Sequence, residues 1–238
     1  DGSLRDADPS DPGDWISSAD ALTATFRGCP VDNSSWHGTH VAGTIAAVTG
    51  NGTGVAGVAF GAKVQPVRVL GKCGGYMSDI ADGIIWASGG TVPGVPANPT
   101  PARVINLSLG GSGACDATSQ SAINSARSRN TTVVVAAGNS NANAANFSPA
   151  SCAGVITVAS VGRTGARAYY SNFGASVEIA APGGDQSTGT ANGILAPLNT
   201  GATTPGSDTY GFYQGTSQAT PHVAGVVALL YAQTPTIT

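Results

Sequence analysis

The sequence predicts an α/β fold in which helices cover both faces of a doubly wound, mostly parallel sheet. Short apolar runs rich in Val and Ile are typical of strands that are buried on both faces. Helical patterns separate several of these runs, and this strand–helix–strand order favours parallel strands joined by right-handed crossovers. The 238 residues contain no visible internal repeat, so a single domain spanning 1–238 is predicted.

The individual elements follow from apolar runs and from helical periodicity. The predicted strands are 63–70, 103–109, 131–137, 155–161 and 177–181. The predicted helices are 37–48, 78–88, 117–129 and an almost wholly apolar one that begins after Gly215. Polar residues at the loops beyond strand ends are expected to gather where such sheets usually bind ligands.

Composition excludes several classes of partner. Charged residues make up 10% of the chain, the net charge is −3 and Lys occurs only twice, so no basic patch is available for nucleic acid or an anionic membrane. No apolar run reaches the length of a membrane span. The bias toward Gly, Ser, Thr, Asn and Ala is typical of a compact, loop-rich secreted protein, which we expect to be a monomer.

A serine precedes the last apolar helix in the stretch GTSQATPHVAG, which runs from position 215 to 225. Gly215 allows a sharp turn and close approach to a substrate, and Ser217 follows in the first helical turn, at the positive end of the helix dipole. A serine in this place is a candidate nucleophile, although the same residue is also a common helix cap.

A second motif, SSWHGTHVAGTIAA, places His37 at the start of another apolar helix. The only three histidines of the chain lie in these two motifs. Gly43 and Gly225 follow a histidine at the same offset in GTHVAG and PHVAG, which predicts close packing between the two helices. A neighbouring imidazole is the group that makes a serine hydroxyl nucleophilic.

Four motifs in order, HGTHVAGTIAA, NLSLGG, VVVAAGN and GTSQATPHVAG, resemble those of the subtilisin-like serine proteases, and the likeness runs from about position 36 to 231. The resemblance implies a subtilisin-like three-layer fold and secreted endopeptidase activity. It implies that Ser217 is the nucleophile, that His37 is the general base and then acid, and that Asn139 donates to the oxyanion. Gln218 stands where the family usually has methionine.

The resemblance assigns no residue to the triad aspartate. In the family this residue ends an apolar strand, typically in a DTG sequence, whereas Asp1 belongs to DGS with nothing before it. We therefore expect the aspartate upstream of residue 1 and a domain truncated at both ends. A peptide-binding pseudoenzyme is the alternative function. An esterase of the α/β-hydrolase type is disfavoured because GTSQA is not a GxSxG elbow.

Two glycine-rich segments are expected to flank a peptide substrate like added strands, as the family implies. The residues predicted to bind substrate are Gly74, Gly75, Tyr76, Ser108, Leu109, Gly110, Gly111, Ala137 and Gly138. Phe147 is predicted to project into the floor of the pocket for the side chain that precedes the scissile bond. The alternative is that these glycines only turn corners.

Five aspartates crowd the beginning of the chain, and their mutual repulsion would be offset by a hard cation with oxygen ligands. They are Asp1, Asp6, Asp8, Asp11 and Asp14. Calcium sites are common in the resembling family, so a structural calcium loop is predicted here, with a solvated acidic loop as the alternative.

Four cysteines show neither CxxC nor metal-ligand spacing, which predicts two disulfides in an oxidising compartment. Three connectivities are possible. We favour Cys29 with Cys73 and Cys115 with Cys152, because the expected fold brings each pair of loops to the same end of the sheet.

Overall fold

A computed structural model describes residues 5, 8 and 10–237. The described residues form eight strands: β1 Val104–Leu107, β2 Gly111–Ser112, β3 Thr132–Ala136, β4 Phe147–Ser148, β5 Ile156–Val161, β6 Ile179–Pro182, β7 Ile194–Asn199 and β8 Asp208–Tyr213. They also form five α-helices: α1 Ser18–Ala21, α2 His37–Ala46, α3 Met77–Ala87, α4 Ala117–Arg127 and α5 Thr216–Gln233.

The central sheet contains four parallel strands in the order β1-β3-β5-β6. Strand β3 shows that both faces of this sheet are covered, because Val133, Val134 and Val135 are all at most 1% exposed. Val133 and Val135 pack against α3 and α4, whereas Val134 packs against α5. Successive side chains of a strand point to opposite faces, so the sheet lies between two helical layers, and the predicted three-layer α/β fold is confirmed.

The prediction of a strand at 63–70 is wrong for the described structure. This segment has no regular secondary structure, and no described residue forms a strand ladder with it. Val67 and Val69 pack against the α3–α4 core, while Val64 and Leu70 are 42% and 37% exposed. The apolar pattern therefore reflects one packed face rather than membership of the sheet.

Sequence reasoning missed the antiparallel hairpin β7–β8. His40 holds it in place: the ring is fully buried, its Nε2 lies 3.0 Å from the Ile194 carbonyl and 3.2 Å from that of Gly211, and it stacks on Tyr213 with centroids 4.8 Å apart. His40 is thus a structural residue that joins α2 to both hairpin strands.

Gly43 and Gly225 both allow another segment to approach their helix closely. The approaching segments are not the two helices themselves, as was predicted. A Cβ on Gly43 would come within 2.8 Å of Pro197 Cγ in β7, and closer still to Cδ. A Cβ on Gly225 would lie 2.7 Å from Val58 Cβ. The glycines therefore admit a hairpin strand and a loop against the helices, and do not meet across the α2–α5 contact.

The structure contains the disulfides Cys29–Cys73 and Cys115–Cys152, with Cα separations of 5.8 and 4.9 Å, in agreement with the favoured pairing. Each closes a loop, with sequence separations of 44 and 37 residues. Loops of this length correspond to roughly 3–4 kcal/mol of stabilisation each in the chain-entropy model.

Candidate active site

Ser217 lies in the first turn of α5, directly after a backbone turn that glycine makes possible. Gly215 caps the helix at φ 152°, ψ 160°, and a Cβ there would lie 2.8 Å from Gln218 Oε1. The first N–H groups of a helix have no partner within it, and among the described residues none accepts from Ser217 N. That N–H is therefore available to an oxygen of a ligand.

Asn139 is fixed to the residue that precedes the candidate nucleophile. Its Oδ1 accepts from Thr216 N at 2.8 Å and from Thr216 Oγ1 at 2.9 Å, and Thr216 Oγ1 also accepts from Gly138 N at 3.2 Å. Because two donors occupy the amide oxygen, the amide nitrogen is the group left free to bind a ligand. Asn139 and Ser217 are thus joined through Thr216.

A cavity of about 290 Å³ opens beside these residues. It is lined by Leu109, Gly110, Gly111, Ser112, Ala136, Ala137, Gly138, Asn139, Ser140, Phe147, Ser148, Thr216 and Ser217. The antiparallel pair β2–β4 brings Gly111 opposite Ser148 and so forms one wall. Small residues dominate the lining, and Phe147 is the one aromatic ring in it.

Some residues predicted to bind substrate lie outside this cavity. Gly74, Gly75 and Tyr76 precede α3 and are exposed, Tyr76 by 76%. Ser108 is buried and does not line the cavity, and its Oγ donates to the Ser217 carbonyl at 2.7 Å. Ser108 therefore anchors the segment 108–111 to α5.

His37 is the first residue of α2 and is half-buried. Its position is set by Ser35, whose Oγ accepts from His37 N at 3.3 Å and donates to Asp14 Oδ2 at 2.7 Å. Trp36 precedes it in a left-handed conformation, φ 48°, and its indole donates to the Gly201 carbonyl at 2.7 Å. The loop before His37 is thus held at two points, by the side chain of Ser35 and by that of Trp36.

The structure does not join His37 to Ser217 by a hydrogen bond. Ser217 Oγ instead donates to the Ser108 carbonyl at a long 3.3 Å, and the His37 ring bonds to none of the described residues. Catalytic hydrogen bonds are often loose or absent without substrate. The weak bond to Ser108 leaves the hydroxyl free to change partner.

The pKa of His37 is lowered below its ordinary value of 6.5, mainly by burial and further by the nearby His40, whereas the negative charge of Asp14 acts in the opposite direction. A base must be neutral to accept a proton, so this shift keeps the imidazole ready at neutral pH. Asp14 is the carboxylate that acts electrostatically on His37, but its hydrogen bonds go to Ser35.

The described aspartates of the acidic segment do not fit a shared calcium site. Asp8 accepts from Ser10 N, Asp11 pairs with Arg68 at 2.6 Å, and Asp14 bonds to Ser35. Within the described part of the chain, no group of three or more His, Cys, Asp or Glu side chains could hold a metal ion. The predicted ligands Asp1 and Asp6 lie outside the described residues.

The residue that sequence reasoning missed is Asn172, which is fully buried against the loop that carries Asn139. The signal was present but unspecific, since an Asn in the stretch YYSNFG reads as an ordinary turn residue.

Comparison with known proteins places these features in a family. Residues 16–238 match the model of the subtilase family of peptidases. The chain is 59% identical over 236 residues to an extracellular protease of Xanthomonas campestris pv. campestris, covering 99% of this chain and 39% of that protein. It is 49% identical to an extracellular basic protease of Dichelobacter nodosus, covering 97% and 37%. It thus spans about two fifths of the length of these relatives.

A solved structure of a protease from Pseudoalteromonas arctica superposes with a TM-score of 0.93 at 61% identity, covering 98% of this chain and 68% of that one. A cold-adapted subtilisin-like serine proteinase gives a TM-score of 0.64 at 33% identity, covering 83% and 62%. Among the residues that the structure describes, no helix combines the length and apolarity needed to cross a membrane.

Proposed function

Since the chain belongs to the subtilase family, we propose that it forms the catalytic part of a secreted serine endopeptidase that acts on polypeptides as a monomer. In this proposal Ser217 is the nucleophile, His37 is the general base and acid, and Asn139 stabilises the oxyanion. Secretion is supported by the extracellular relatives and by the two disulfides, which persist in oxidising compartments.

The observation that carries the proposal is the link between Asn139 and Ser217. Thr216 binds the amide oxygen of Asn139 through both its N–H and its hydroxyl, which leaves the amide N–H₂ and the Ser217 N–H as two donors beside one hydroxyl. Donors held in advance around the site of a developing negative charge are worth more to a transition state than to a ground state. A binding module has no need of this arrangement.

The chemistry follows from these groups. Ser217 Oγ attacks the carbonyl carbon of the scissile bond while His37 takes its proton, and the carbonyl oxygen becomes an anion held by Asn139 and by the Ser217 N–H. Collapse expels the amine, which receives the proton from His37 and leaves an acyl group on Ser217. Water then attacks that ester by the same route, releasing the acid and restoring the hydroxyl.

The cavity gives the substrate preference a physical basis. The side chain before the scissile bond enters the space between 108–111 and 136–140, where small residues leave the walls open and Phe147 limits its depth. Peptide backbone lies along 108–111 and 74–76 as an added strand.

A fluorophosphonate, which phosphonylates activated serines, tests the nucleophile in the full-length gene product. We expect a single label on the peptide that contains Ser217, together with loss of peptide hydrolysis. Ser217→Ala should abolish label and hydrolysis, and His37→Ala should reduce both by several orders of magnitude. Ser125→Ala, in α4, is the matched control and should change neither. Hydrolysis that survives Ser217→Ala would refute the proposal, and peptide binding without any label would identify a pseudoenzyme.

Calcium binding by the acidic segment is retained as a proposal that depends on Asp1 and Asp6. If these two residues complete a site, millimolar calcium should raise the thermal unfolding temperature relative to a chelator, and Asp1→Asn with Asp6→Asn should remove the difference. Equal unfolding temperatures in calcium and chelator would show a solvated acidic loop.

A further inference from the structure

The side chain of Asn172 makes three hydrogen bonds to the loop that carries Asn139. Asn172 lies in the connection between β5 and β6 and is 0% exposed. Its Nδ2 donates to the Ala137 carbonyl at 2.8 Å, and its Oδ1 accepts from Ser140 N at 2.9 Å and from Ala142 N at 3.0 Å. Its backbone N–H donates to the Gly138 carbonyl at 2.9 Å. One residue therefore holds the loop on both sides of Asn139.

The fit between Asn172 and the loop is close. Gly138 adopts φ 101°, a conformation that favours glycine, and a Cβ there would overlap Asn172 Nδ2 and lie 3.2 Å from its Cγ. The amide thus fills the space that a side chain at position 138 would occupy. The turn before Asn139 is consequently fixed by sterics as well as by hydrogen bonds.

These contacts require a side chain at position 172 that both donates and accepts hydrogen bonds. The loop presents one carbonyl that needs a donor and two N–H groups that need an acceptor, and a planar amide supplies both. Aspartate keeps the acceptor but replaces the donor with a second oxygen facing the Ala137 carbonyl, and serine is too short to span all three partners. Buried loop groups left without partners would favour a shifted loop.

We propose that Asn172 is the positioning residue that sets the Asn139 amide against the oxyanion. Asn172 does not line the cavity, so it acts on the reaction only through the loop from Ala137 to Ala142. An oxyanion donor works when it lies 2.7–3.1 Å from the developing charge, and a misplacement of about 1 Å can cost about 100-fold in rate. This inference rests on the proposed role of Asn139.

The test is a double-mutant cycle in the full-length protein, with kcat and KM for a peptide substrate as the readout. Asn172→Asp and Asn172→Ser should each lower kcat about 10- to 100-fold and change KM less than about threefold, because the donor matters most in the transition state. In an Asn139→Ala background the same changes should lower kcat less than about threefold further, since no donor remains to be misplaced.

Asn98 provides a matched control, because it is a buried asparagine whose amide, like that of Asn172, donates to backbone carbonyl oxygen, here that of Trp86 and of Ala87. Asn98→Asp should lower the unfolding temperature while leaving kcat within about twofold. Asn172→Ser keeps a small neutral side chain and serves if the aspartate variant does not fold.

The outcomes separate this inference from the proposed function. An undiminished effect of Asn172→Ser in the Asn139→Ala background, or a rise in KM without a fall in kcat, would overturn the positioning role while Ser217 remains the nucleophile. Peptide hydrolysis that survives Ser217→Ala would instead remove the premise.

Discussion

The contact between Gly43 and Pro197 predicts that Gly43→Ala lowers the stability of the protein, whereas helix propensity alone would predict a gain. Replacing glycine by alanine inside a helix normally adds about 1 kcal/mol of stability, because alanine has the higher helix propensity. At position 43, however, the new methyl group would meet the ring of Pro197, with Cγ 2.8 Å away and Cδ closer. The ring is rigid and belongs to β7, so it cannot rotate aside, and overpacking of this kind costs about 1–3 kcal/mol.

Gly38 is the matched control, since it lies in the same helix and a Cβ there meets nothing within 4 Å. Both variants gain helix propensity, but Gly38 is the second residue of α2 and gains less than Gly43 in the interior, so the difference in stability between the two variants is a lower bound on the steric cost. In a Ser217→Ala background that prevents self-digestion, denaturant unfolding should show Gly43→Ala about 1–3 kcal/mol less stable than Gly38→Ala. A Gly43→Ala protein at least as stable as the control would show that α2 moves away from β7 without cost.

Three further predictions concern the cleft and the histidines. Phe147 lines the cavity, so Phe147→Gly should shift the preferred residue before the scissile bond from small to large; an unchanged ratio of kcat/KM for Ala and Phe substrates would contradict this. Gln218 is 2% exposed and its Nε2 has no partner among the described residues, so Gln218→Met should leave stability unchanged or higher. The thioether should make hydrolysis peroxide-sensitive, and equal losses in both proteins would show that glutamine gives no protection. Burial lowers the pKa of His37, His40 and His222 below the ordinary 6.5, so the unfolded chain binds their protons more readily. The stability that these three neutral histidines contribute above pH 6.5 should be lost as the pH falls through their folded pKa values, and a free energy of unfolding that does not change below pH 6.5 would refute the assignment.

The parts of the fold that were predictable are those whose pattern depends on local burial. Strand β3 was visible because Val133, Val134 and Val135 face apolar layers on both sides, and α5 because apolar residues follow a glycine turn. Segment 63–70 is also rich in Val, but strand pairing depends on a neighbouring strand that composition does not report. The hairpin β7–β8 was missed because its sequence carries no clear apolar pattern. Its strands are held in place by contact with α2, through His40.

The candidate site divides in the same way. Ser217, His37 and Asn139 stand in motifs whose turn and helix signals can be read from the sequence. Asn172 acts through hydrogen bonds to residues 30 to 35 positions away, and nothing in its own neighbourhood indicates such partners. Asp14 is similar, because its link to Ser35 across 21 residues turned an expected metal ligand into a support for the loop before His37.

The bonds between Thr216 and Asn139 have a consequence for recombining this chain with its relatives. They tie the proposed oxyanion donor Asn139 to the helix that carries the proposed nucleophile Ser217, so the two groups shift together when α5 shifts against the sheet. A chimera that takes 137–142 from one parent and α5 from another combines the two partners of these hydrogen bonds from different proteins. Crossovers are best placed so that segment 137–142, Asn172 and the first turn of α5 are inherited as one block.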